Sequence, residues 1–321
     1  MPAVGVGLID TNGIAHCDVR GVADVTCNEP VSIKHYWDLA SLTKTLVLLP
    51  AILELVDAGR LALDRPIGEQ WPRVQDQPVA KATLAQMLQY NADLPPWYPY
   101  HLVPTSDVGH LEHLLLATPL QRAPGEAPMY SDLGAMQLGL LVSEMHECTL
   151  STIARASCGL IFGPGVETAV ATEQCHWRGR LLKGEVHDEN AAALGGQAGH
   201  AGAFGTLKNV LREATMWLNA EVVSPELHRE CFSRSVANKD GDHFGLGWWL
   251  PNTRGIGGTK PGPGSWGHSG FVGNRLWFEP SRGYALVILS NRIHPKRGTR
   301  DPFDKWCRTL LDVIADAYSP S

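Results

Sequence analysis

The chain carries the sequence Trp37-Asp38-Leu39-Ala40-Ser41-Leu42-Thr43-Lys44 directly ahead of the apolar run Leu46-Val47-Leu48-Leu49. Apolar residues continue at helical spacing, which predicts a helix from about Leu42 to Ala58. Pro50 lies inside this range and is expected to kink the helix. Residues three apart share one face of a helix, so we expect the Lys44 amine to lie within reach of the Ser41 hydroxyl.

A Ser-x-x-Lys pair at the start of a helix is a candidate nucleophile and base. A serine hydroxyl is a weak nucleophile at neutral pH, but a neighbouring amine with a lowered pKa can take its proton. The first turn of a helix also lends partial positive charge to a developing anion. Such a pair arises about once by chance in a chain of this size. Taken alone, Ser41 and Lys44 are therefore more often a helix start with a solvated lysine.

Composition excludes several classes of protein. The 321 residues carry a net charge of -6 without a Lys/Arg block, so we expect no nucleic-acid partner. Seven scattered cysteines with no C-x-x-C spacing argue against a disulfide framework or a zinc site. Residues 1–7 lack the features of a secretory leader, and no apolar run reaches membrane-spanning length. Unless a leader has been removed, we expect a cytoplasmic protein with no membrane partner.

The two chain ends have strand character, and the middle is mostly helical. Residues 3–9, the turn Thr11-Asn12-Gly13 and Ile14 to Val19 predict a first β-hairpin. Near the other end, strands are predicted at Gly245–Leu250, Gly273–Phe278 and Tyr284–Ser290, followed by a helix from Phe303 to Tyr318. This order predicts an α+β fold with a sheet built from both chain ends. We expect a discontinuous sheet domain, residues 1–62 and 226–321, and a mostly helical domain, residues 63–225. The active site is expected in the cleft between them.

A second motif, Tyr130-Ser131-Asp132, precedes an apolar helical stretch from Leu133 to Val142. A tyrosine in this position is by itself more often a buried core aromatic. Beside Ser41 and Lys44, however, Tyr130 can serve as general base and acid, provided that the lysine charge lowers its pKa.

A third motif is Trp266-Gly267-His268-Ser269-Gly270-Phe271-Val272-Gly273. Small residues flank His268, so the backbone of this predicted strand can approach a ligand closely. A lone histidine here is more often structural. The backbone N–H groups of Ser41 and Phe271 are candidates for an oxyanion hole, in which one donor contributes roughly 3 kcal/mol to lowering the barrier.

In this order, the three motifs make the chain resemble the serine β-lactamase and penicillin-binding-protein superfamily. Tyr130 and His268-Ser269-Gly270 point to its class C β-lactamase-like branch, which includes esterases and D-amino-acid peptidases. The resemblance implies a β-lactamase/transpeptidase-like fold, with antiparallel sheet, flanking helices and a mostly helical domain. It also implies that Ser41 is the acylated nucleophile and that Lys44, Tyr130 and His268 are catalytic. His268 would be hydrogen-bonded towards Tyr130 or the substrate, Ser269 and Gly270 would contact the substrate, and no metal or organic cofactor is expected.

Two departures from the family pattern bear on the substrate. Asp132 replaces an asparagine whose amide contacts a substrate amide, and an ionised carboxylate cannot donate that hydrogen bond. Asp132 can instead pair with Lys44. The loop usually rich in His, Ser and Gly reads Gln89-Tyr90-Asn91-Ala92-Asp93-Leu94. We therefore expect a serine hydrolase of small esters, amides or β-lactams, with esters favoured. The alternative is a catalytically weak or inactive binding or sensor protein; the oligomeric state stays open.

Other residue groups have simpler readings. His110 and His113 share a predicted helix, where a solvated face is expected rather than a metal site. The cluster His187-Asp188-Glu189-Asn190 is expected to be a loop feature, which the resemblance sets near the cleft rim. Five aromatic residues are either core or part of an acyl pocket: Trp97, Tyr98, Tyr100, Trp248 and Trp249.

Overall fold

The structure, a computed structural model, describes residues 1–157, 159–163, 168–251 and 253–318. The strands of this part of the chain are β1 (Ala3–Asp10), β2 (Gly13–Asp24), β3 (Glu29–Pro30), β4 (Trp37–Asp38), β5 (Ile161–Phe162), β6 (Gln174–Cys175), β7 (Arg180–Leu181), β8 (Ala203–Gly205), β9 (Val236–Ala237), β10 (His243–Phe244), β11 (Trp266–Ser269), β12 (Arg275–Glu279) and β13 (Tyr284–Ser290).

The α-helices of the same part of the chain are α1 (Leu49–Asp57), α2 (Ile67–Gln70), α3 (Leu84–Leu88), α4 (Val108–Leu116), α5 (Asp132–Met145), α6 (Leu150–Ser157), α7 (Glu189–Ala193), α8 (Leu207–Leu218), α9 (Pro225–Ser233) and α10 (Asp301–Ala317). A π-helical segment, Lys44–Leu48, precedes α1, and short 3₁₀ turns occupy Pro72–Val74, Pro78–Lys81, Tyr100–Leu102, Thr253–Gly255 and Pro280–Arg282. Among the described residues, each helix is too short or too polar to span a lipid bilayer.

The main sheet has six strands in the order β11-β12-β13-β1-β2-β3, and every pair is antiparallel. The first and last strands of the chain are neighbours, because Val6 pairs with Ile288 across β1 and β13. This confirms the predicted α+β class and the sheet built from both chain ends. A second, three-stranded sheet, β4-β8-β5, carries the residues just before Ser41.

Both faces of the main sheet are covered. Leu211 of α8 packs on one face and joins the larger apolar core, whereas Leu311 of α10 packs on the other face, near Ile288. Gly7 of β1 lets α8 approach, because a Cβ there would lie 2.6 Å from a Leu211 methyl carbon. The predicted domain boundary assigns α8 to the helical domain, yet this helix contacts β1 and β13.

The helix after Ser41 differs from the prediction of one continuous α-helix. Lys44–Leu48 is π-helical, with the Leu49 N–H bonded to the Lys44 carbonyl five residues back, and α1 then begins with Pro50 in its first turn. Proline has no N–H to donate to the carbonyl four residues earlier, so it fits the first turn of a helix and not its interior. The change of helix type therefore falls just before Pro50.

The predicted strand Gly245–Leu250 is wrong. The strand β10 ends at Phe244, and the following residues make only isolated bridges, of which one joins Trp249 to Gly267 of β11. Gly247 has a φ of +73°, a left-handed conformation that ends strand geometry. The segment nevertheless lies against β11 and places Trp249 beside the cleft described below.

Candidate active site

Ser41 lies on a tight turn between β4 and the π-helical segment. The residue before it, Ala40, has a φ of +47°, which is strained for a residue with a Cβ. The Asp38 carboxylate holds the turn by accepting a hydrogen bond from the Ala40 N–H at 2.7 Å. The structure thus presents Ser41 on a strained, anchored turn at the wall of a cavity.

The Lys44 ammonium is buried at the centre of the site. Nζ donates to Ser41 Oγ at 3.1 Å, to Tyr130 Oη at 2.8 Å and to Asp132 Oδ1 at 2.6 Å. A fourth, longer contact joins Nζ to the His200 carbonyl at 3.4 Å. The predicted approach of Lys44 to Ser41 and its predicted pairing with Asp132 are therefore both present.

Tyr130 also reaches the nucleophile, since its hydroxyl donates to Ser41 Oγ at 3.0 Å. Its ring lies against Tyr90, with centroids 4.8 Å apart, and against Trp249 at 5.5 Å. Burial and the negative charge of Asp132 raise the pKa of Tyr130 well above its usual range. The predicted role of Tyr130 as a general base requires a lowered pKa, and the site raises that pKa instead. Tyr130 is therefore a neutral hydrogen-bond donor here.

Asp132 is the first residue of α5, and the local sequence fixes its position. Ser131 caps the helix: its Oγ accepts from the Leu133 N–H at 3.2 Å and donates to the Pro95 carbonyl at 2.6 Å. The Asp132 N–H donates to the Pro96 carbonyl at 3.0 Å. These bonds hold the carboxylate over Lys44, while its side chain stays 21% exposed to the cleft.

His268 occupies β11 but is fully buried behind the rings that face the cleft. Its Nδ1 lies 2.9 Å from the Ser269 carbonyl, and an N–H there leaves Nε2 to accept from the Tyr90 hydroxyl at 3.3 Å. Burial, together with the charge of Lys44, lowers the pKa of His268 well below its usual value. The predicted hydrogen bond towards Tyr130 or the substrate is replaced by this bond to Tyr90. His268 is thus a neutral residue packed behind the site.

The end of β11 brings its backbone against the Ser41 turn. A Cβ on Gly270 would lie 2.9 Å from the Leu39 carbonyl oxygen, which explains why this position is a glycine. Asn274 joins the same elements: its side chain donates to the Asp38 carbonyl at 2.8 Å, and its own carbonyl accepts from the Gly270 N–H at 2.9 Å. Ser41, Ser269, Gly270 and Phe271 all line one cavity. This is the setting that the predicted oxyanion hole requires.

The cavity has a volume of about 450 Å³, and its walls differ in chemistry. Its lining includes Arg254, Arg297 and Arg300, of which Arg297 is paired with Glu173 and Glu189. The other lining residues are Ala40, Ser41, Trp97, His101, Tyr130, Asp132, His187, Asp188, Glu189, Ala201, Trp249, Ser269, Gly270 and Phe271.

A neighbouring pocket of about 220 Å³ is lined by further arginine side chains. It shares Arg254 and Arg300 with the main cavity and adds Arg275 and Asp304. Three arginines face a single carboxylate there, so this side of the cleft carries excess positive charge.

Only some of the five aromatic residues predicted for an acyl pocket line the cavity. Trp97 and Trp249 line the cavity, whereas Tyr100 and Trp248 are buried in the core. Tyr98 is half exposed beside them. The acyl-pocket interpretation therefore keeps two of its five residues, both tryptophans.

The His187, Asp188 and Glu189 side chains at the cleft could bind a metal, but each already pairs with another side chain. All three residues line the cavity, and their partners are Glu173, His200 and Arg297, respectively. The predicted loop is only part of this segment, because Glu189 and Asn190 begin α7. His110 and His113 are exposed on α4, as expected for a solvated face. Away from the cleft, ligand atoms of Asp24, Cys27 and Glu29 lie within 4.8 Å of one another. Glu29 is paired there with Lys183 and His35.

Sequence reasoning assigned no role to three residues of the site. Tyr90 lies in the loop that departs from the family pattern, but its contact with His268 is made across 178 residues. The Arg254 guanidinium stacks over the rings of Tyr130 and Trp249, 5.1 Å from each centroid. Asn274 follows the third motif directly. This place in the sequence was the one available sign that Asn274 has a structural role, because asparagine side chains in turns commonly bond to nearby backbone groups.

The chain is similar to several known proteins. A protein-family model described as Beta-lactamase matches residues 1–306. A relative from Escherichia coli (strain K12), named "Putative D-alanyl-D-alanine carboxypeptidase", is 28% identical, and the match covers 91% of this chain and 79% of the relative.

Two solved structures share the fold. One is EstCE1, described as a hydrolase with promiscuous acyltransferase activity, with a TM-score of 0.75, 17% identity and coverage of 97% of this chain and 93% of that one. The other is the D-alanine carboxypeptidase AmpC from Burkholderia cenocepacia, with a TM-score of 0.72, 16% identity and coverage of 98% and 94%.

Proposed function

Because the chain belongs to the Beta-lactamase family, we propose that it is a serine hydrolase in which Ser41 forms an acyl-enzyme. The observation that carries this proposal is the pair of hydrogen bonds on one hydroxyl. Ser41 Oγ accepts from Lys44 Nζ at 3.1 Å and from Tyr130 Oη at 3.0 Å, at the wall of an open cavity. A nucleophile within reach of its proton-transfer partners is the arrangement that acyl transfer requires.

The proton path from Ser41 ends on Asp132. With Lys44 charged and Tyr130 neutral, the nearest anionic acceptor is the carboxylate 2.6 Å from Nζ. As Oγ attacks the carbonyl carbon, its proton moves to Lys44 while Lys44 gives one to Asp132. Tyr130 then donates its hydroxyl proton to the leaving group and recovers one from Lys44. Water resolves the acyl-enzyme through the same groups in reverse.

The backbone N–H groups of Ser41 and Phe271 stabilise the oxyanion in this proposal. Within the described residues, neither N–H donates to a protein acceptor. Gly270 holds the two chain segments in contact. A donor of this kind contributes roughly 3 kcal/mol to transition-state stabilisation.

The substrate that the cleft favours is an ester with an apolar acyl group and a negatively charged group. Asp132 supports the ester, because an ionised carboxylate offers no donor to a substrate amide. Trp97 and Trp249 supply apolar wall, and Arg254 and Arg300 supply positive charge beside it.

A second candidate is a peptide with a terminal carboxylate. The arginine-lined wall supports it, as does the name of the Escherichia coli relative. Asp132 argues against it for the reason given above. A rate panel of p-nitrophenyl esters with neutral and carboxylated acyl groups, nitrocefin and D-Ala-D-Ala peptides separates the candidates.

Covalent labelling tests the nucleophile itself. We expect one fluorophosphonate or penicillin adduct on the wild-type chain by intact mass and no adduct on Ser41→Ala. Ser281→Ala is the matched control, since Ser281 is exposed in the turn at the far end of β12 and should leave labelling unchanged. No adduct on the wild type, or an equal one on Ser41→Ala, contradicts the proposal. Binding without turnover would instead favour a sensor protein.

A further inference from the structure

The Phe271 side chain contacts two neighbouring side chains in the cleft. The His187 ring lies nearly parallel to the Phe271 ring, at an interplanar angle of 17° with centroids 5.5 Å apart. The Arg297 guanidinium lies 5.2 Å from the centroid of the same ring. The ring is nevertheless 44% exposed in the cleft. An exposed phenylalanine normally moves freely, so these two contacts restrain a side chain that its own burial would not.

One buried carboxylate, on Glu173, bonds to both groups that contact the Phe271 ring. Glu173 Oε2 accepts from His187 Nε2 at 2.5 Å and from Arg297 Nε at 2.6 Å, and Glu173 is only 6% exposed. Burial works against ionisation, but the bonds from His187 and Arg297 outweigh it and lower the pKa of Glu173. Charge-assisted bonds to one oxygen fix the separation of the two groups that grip the ring.

The same network reaches the nucleophile turn. Asp38 Oδ2 accepts from the His187 N–H at 2.7 Å, and Asp38 Oδ1 accepts from the Ala40 N–H, also at 2.7 Å. The Phe271 carbonyl accepts from Arg292 at 3.0 Å, which restrains the same residue through its backbone. Hydrogen bonds through His187 and Asp38 thus connect the side chains that contact Phe271 with the turn that carries Ser41.

We propose that Glu173 is a positioning residue for the oxyanion hole, holding His187 and Arg297 against Phe271 so that the Phe271 N–H keeps its aim beside Ser41. The inference rests on the proposed function for its catalytic consequence. Its structural content, a ring fixed by Glu173, stands independently. An error of about 1 Å in a catalytic group can cost about 100-fold in rate, so a restraint on this loop has a measurable effect.

The kinetic test compares Glu173→Gln with Glu112→Gln. Both remove a carboxylate that bonds to arginine, but Glu112 pairs with Arg73 outside the cleft lining. For a p-nitrophenyl ester we expect Glu173→Gln to lower kcat about 10- to 100-fold, with KM within about twofold, and Glu112→Gln to change neither. Arg297→Gln, which leaves Glu173 and His187 in place, should lower kcat by a smaller factor. It also provides the test if Glu173→Gln does not fold.

A readout that needs no turnover tests the restraint itself. The chain has seven phenylalanines, so uniform 4-fluorophenylalanine labelling gives a resolvable ¹⁹F spectrum in which Phe271→Leu assigns one resonance. We expect Glu173→Gln to shift and narrow the Phe271 resonance, as the ring gains motion, and to leave the other six in place.

The outcomes separate the two proposals. If no covalent adduct forms on Ser41 of the wild type, the proposed serine-hydrolase function is wrong. The ¹⁹F comparison still decides in that case whether Glu173 fixes the Phe271 ring. An unchanged Phe271 resonance, or a kcat for Glu173→Gln equal to that of Glu112→Gln, overturns the positioning role. A raised KM with kcat preserved also overturns it, because Arg297 would then act on substrate binding.

Discussion

Lys44 Nζ lies 2.6 Å from Asp132 Oδ1 but 3.1 Å from Ser41 Oγ, so the ammonium is closer to the carboxylate than to the nucleophile. The pair is buried on the lysine side and open to the cleft on the aspartate side. An asparagine at position 132 would leave Lys44 without its anion. The aspartate therefore shapes both the charge of the site and the hydrogen bonds that it offers to a substrate.

Asp132→Asn should raise amide and lactam turnover relative to ester turnover. The new amide can donate a hydrogen bond to a substrate carbonyl, a contribution of about 1 kcal/mol, or roughly 5-fold in the ratio. The measurement is kcat/KM for nitrocefin divided by kcat/KM for a p-nitrophenyl ester. Asp18→Asn, on the surface beside Arg20, is the control. A ratio that does not move removes the argument for ester preference.

The two neighbouring tyrosines, Tyr90 and Tyr130, should differ sharply in their effect on acylation. Tyr130 donates to Ser41 Oγ, whereas the Tyr90 hydroxyl faces His268. Loss of a positioned proton-transfer group typically costs 10²- to 10⁴-fold, so we expect that loss of Ser41 labelling rate for Tyr130→Phe. Tyr90→Phe should cost less than about 10-fold, since it removes one hydrogen bond behind the site. Equal losses would place Tyr90 and His268 in the chemistry.

Local patterns were sufficient to predict the parts of the site that adjoin the helix and strand starts. Ser41 and Lys44 are three residues apart, Tyr130 directly precedes the cap of α5, and Gly270 directly follows β11. A continuous apolar run between turns predicted β13, and a 3.6-residue period predicted α10, each within two residues, because both are long elements packed on the core.

The missed features depend on contacts that no local pattern encodes. Tyr90 adopts a φ of +58° and meets His268 only after the chain has folded, so neither its conformation nor its partner is visible in the sequence. Arg254, at a φ of +49°, lies in an irregular turn without periodicity. The failed strand at Gly245–Leu250 has apolar residues in a suitable run, but tertiary packing around its glycines prevailed.

Arg254→Met should weaken the binding of negatively charged substrates selectively. The Arg254 guanidinium is half exposed, stands over Tyr130 and Trp249, and lies 3.9 Å from its nearest carboxylate, on Asp242. A charge-assisted hydrogen bond contributes about 1.5–3 kcal/mol, so KM for a carboxylated ester should rise about 10- to 100-fold. KM for the neutral ester of equal length should stay within about twofold.

The control for this substitution is Arg20→Met, on an exposed arginine of β2 outside the cleft lining. High salt should raise the wild-type KM for the carboxylated ester, because partly exposed charges are screened. The difference in KM between the wild type and Arg254→Met should therefore shrink at high salt. Equal increases for charged and neutral esters would show that Arg254 acts by packing on the aromatic rings and not by its charge.

Glu213 should make the stability of the protein fall as pH rises from about 4.5 to about 7. This carboxyl on α8 is 4% exposed, and its Oε1 has no hydrogen-bond partner among the described residues. Burial raises the pKa of Glu213 from its ordinary value of 4.5 to about 7. The folded state thus keeps a proton that the unfolded state loses above pH 4.5, so unfolding is favoured progressively until the folded state also ionises near pH 7.

Glu213→Gln should remove this pH dependence. At about 1.4 kcal/mol per pH unit, the variant should exceed the wild type by about 3 kcal/mol in free energy of unfolding at pH 8 and match it near pH 4.5. Urea denaturation at both pH values measures the difference. Glu221→Gln, on an exposed residue just after α8, should follow the wild type at both. Parallel curves for Glu213→Gln and the wild type would mean that Glu213 titrates normally in the folded protein.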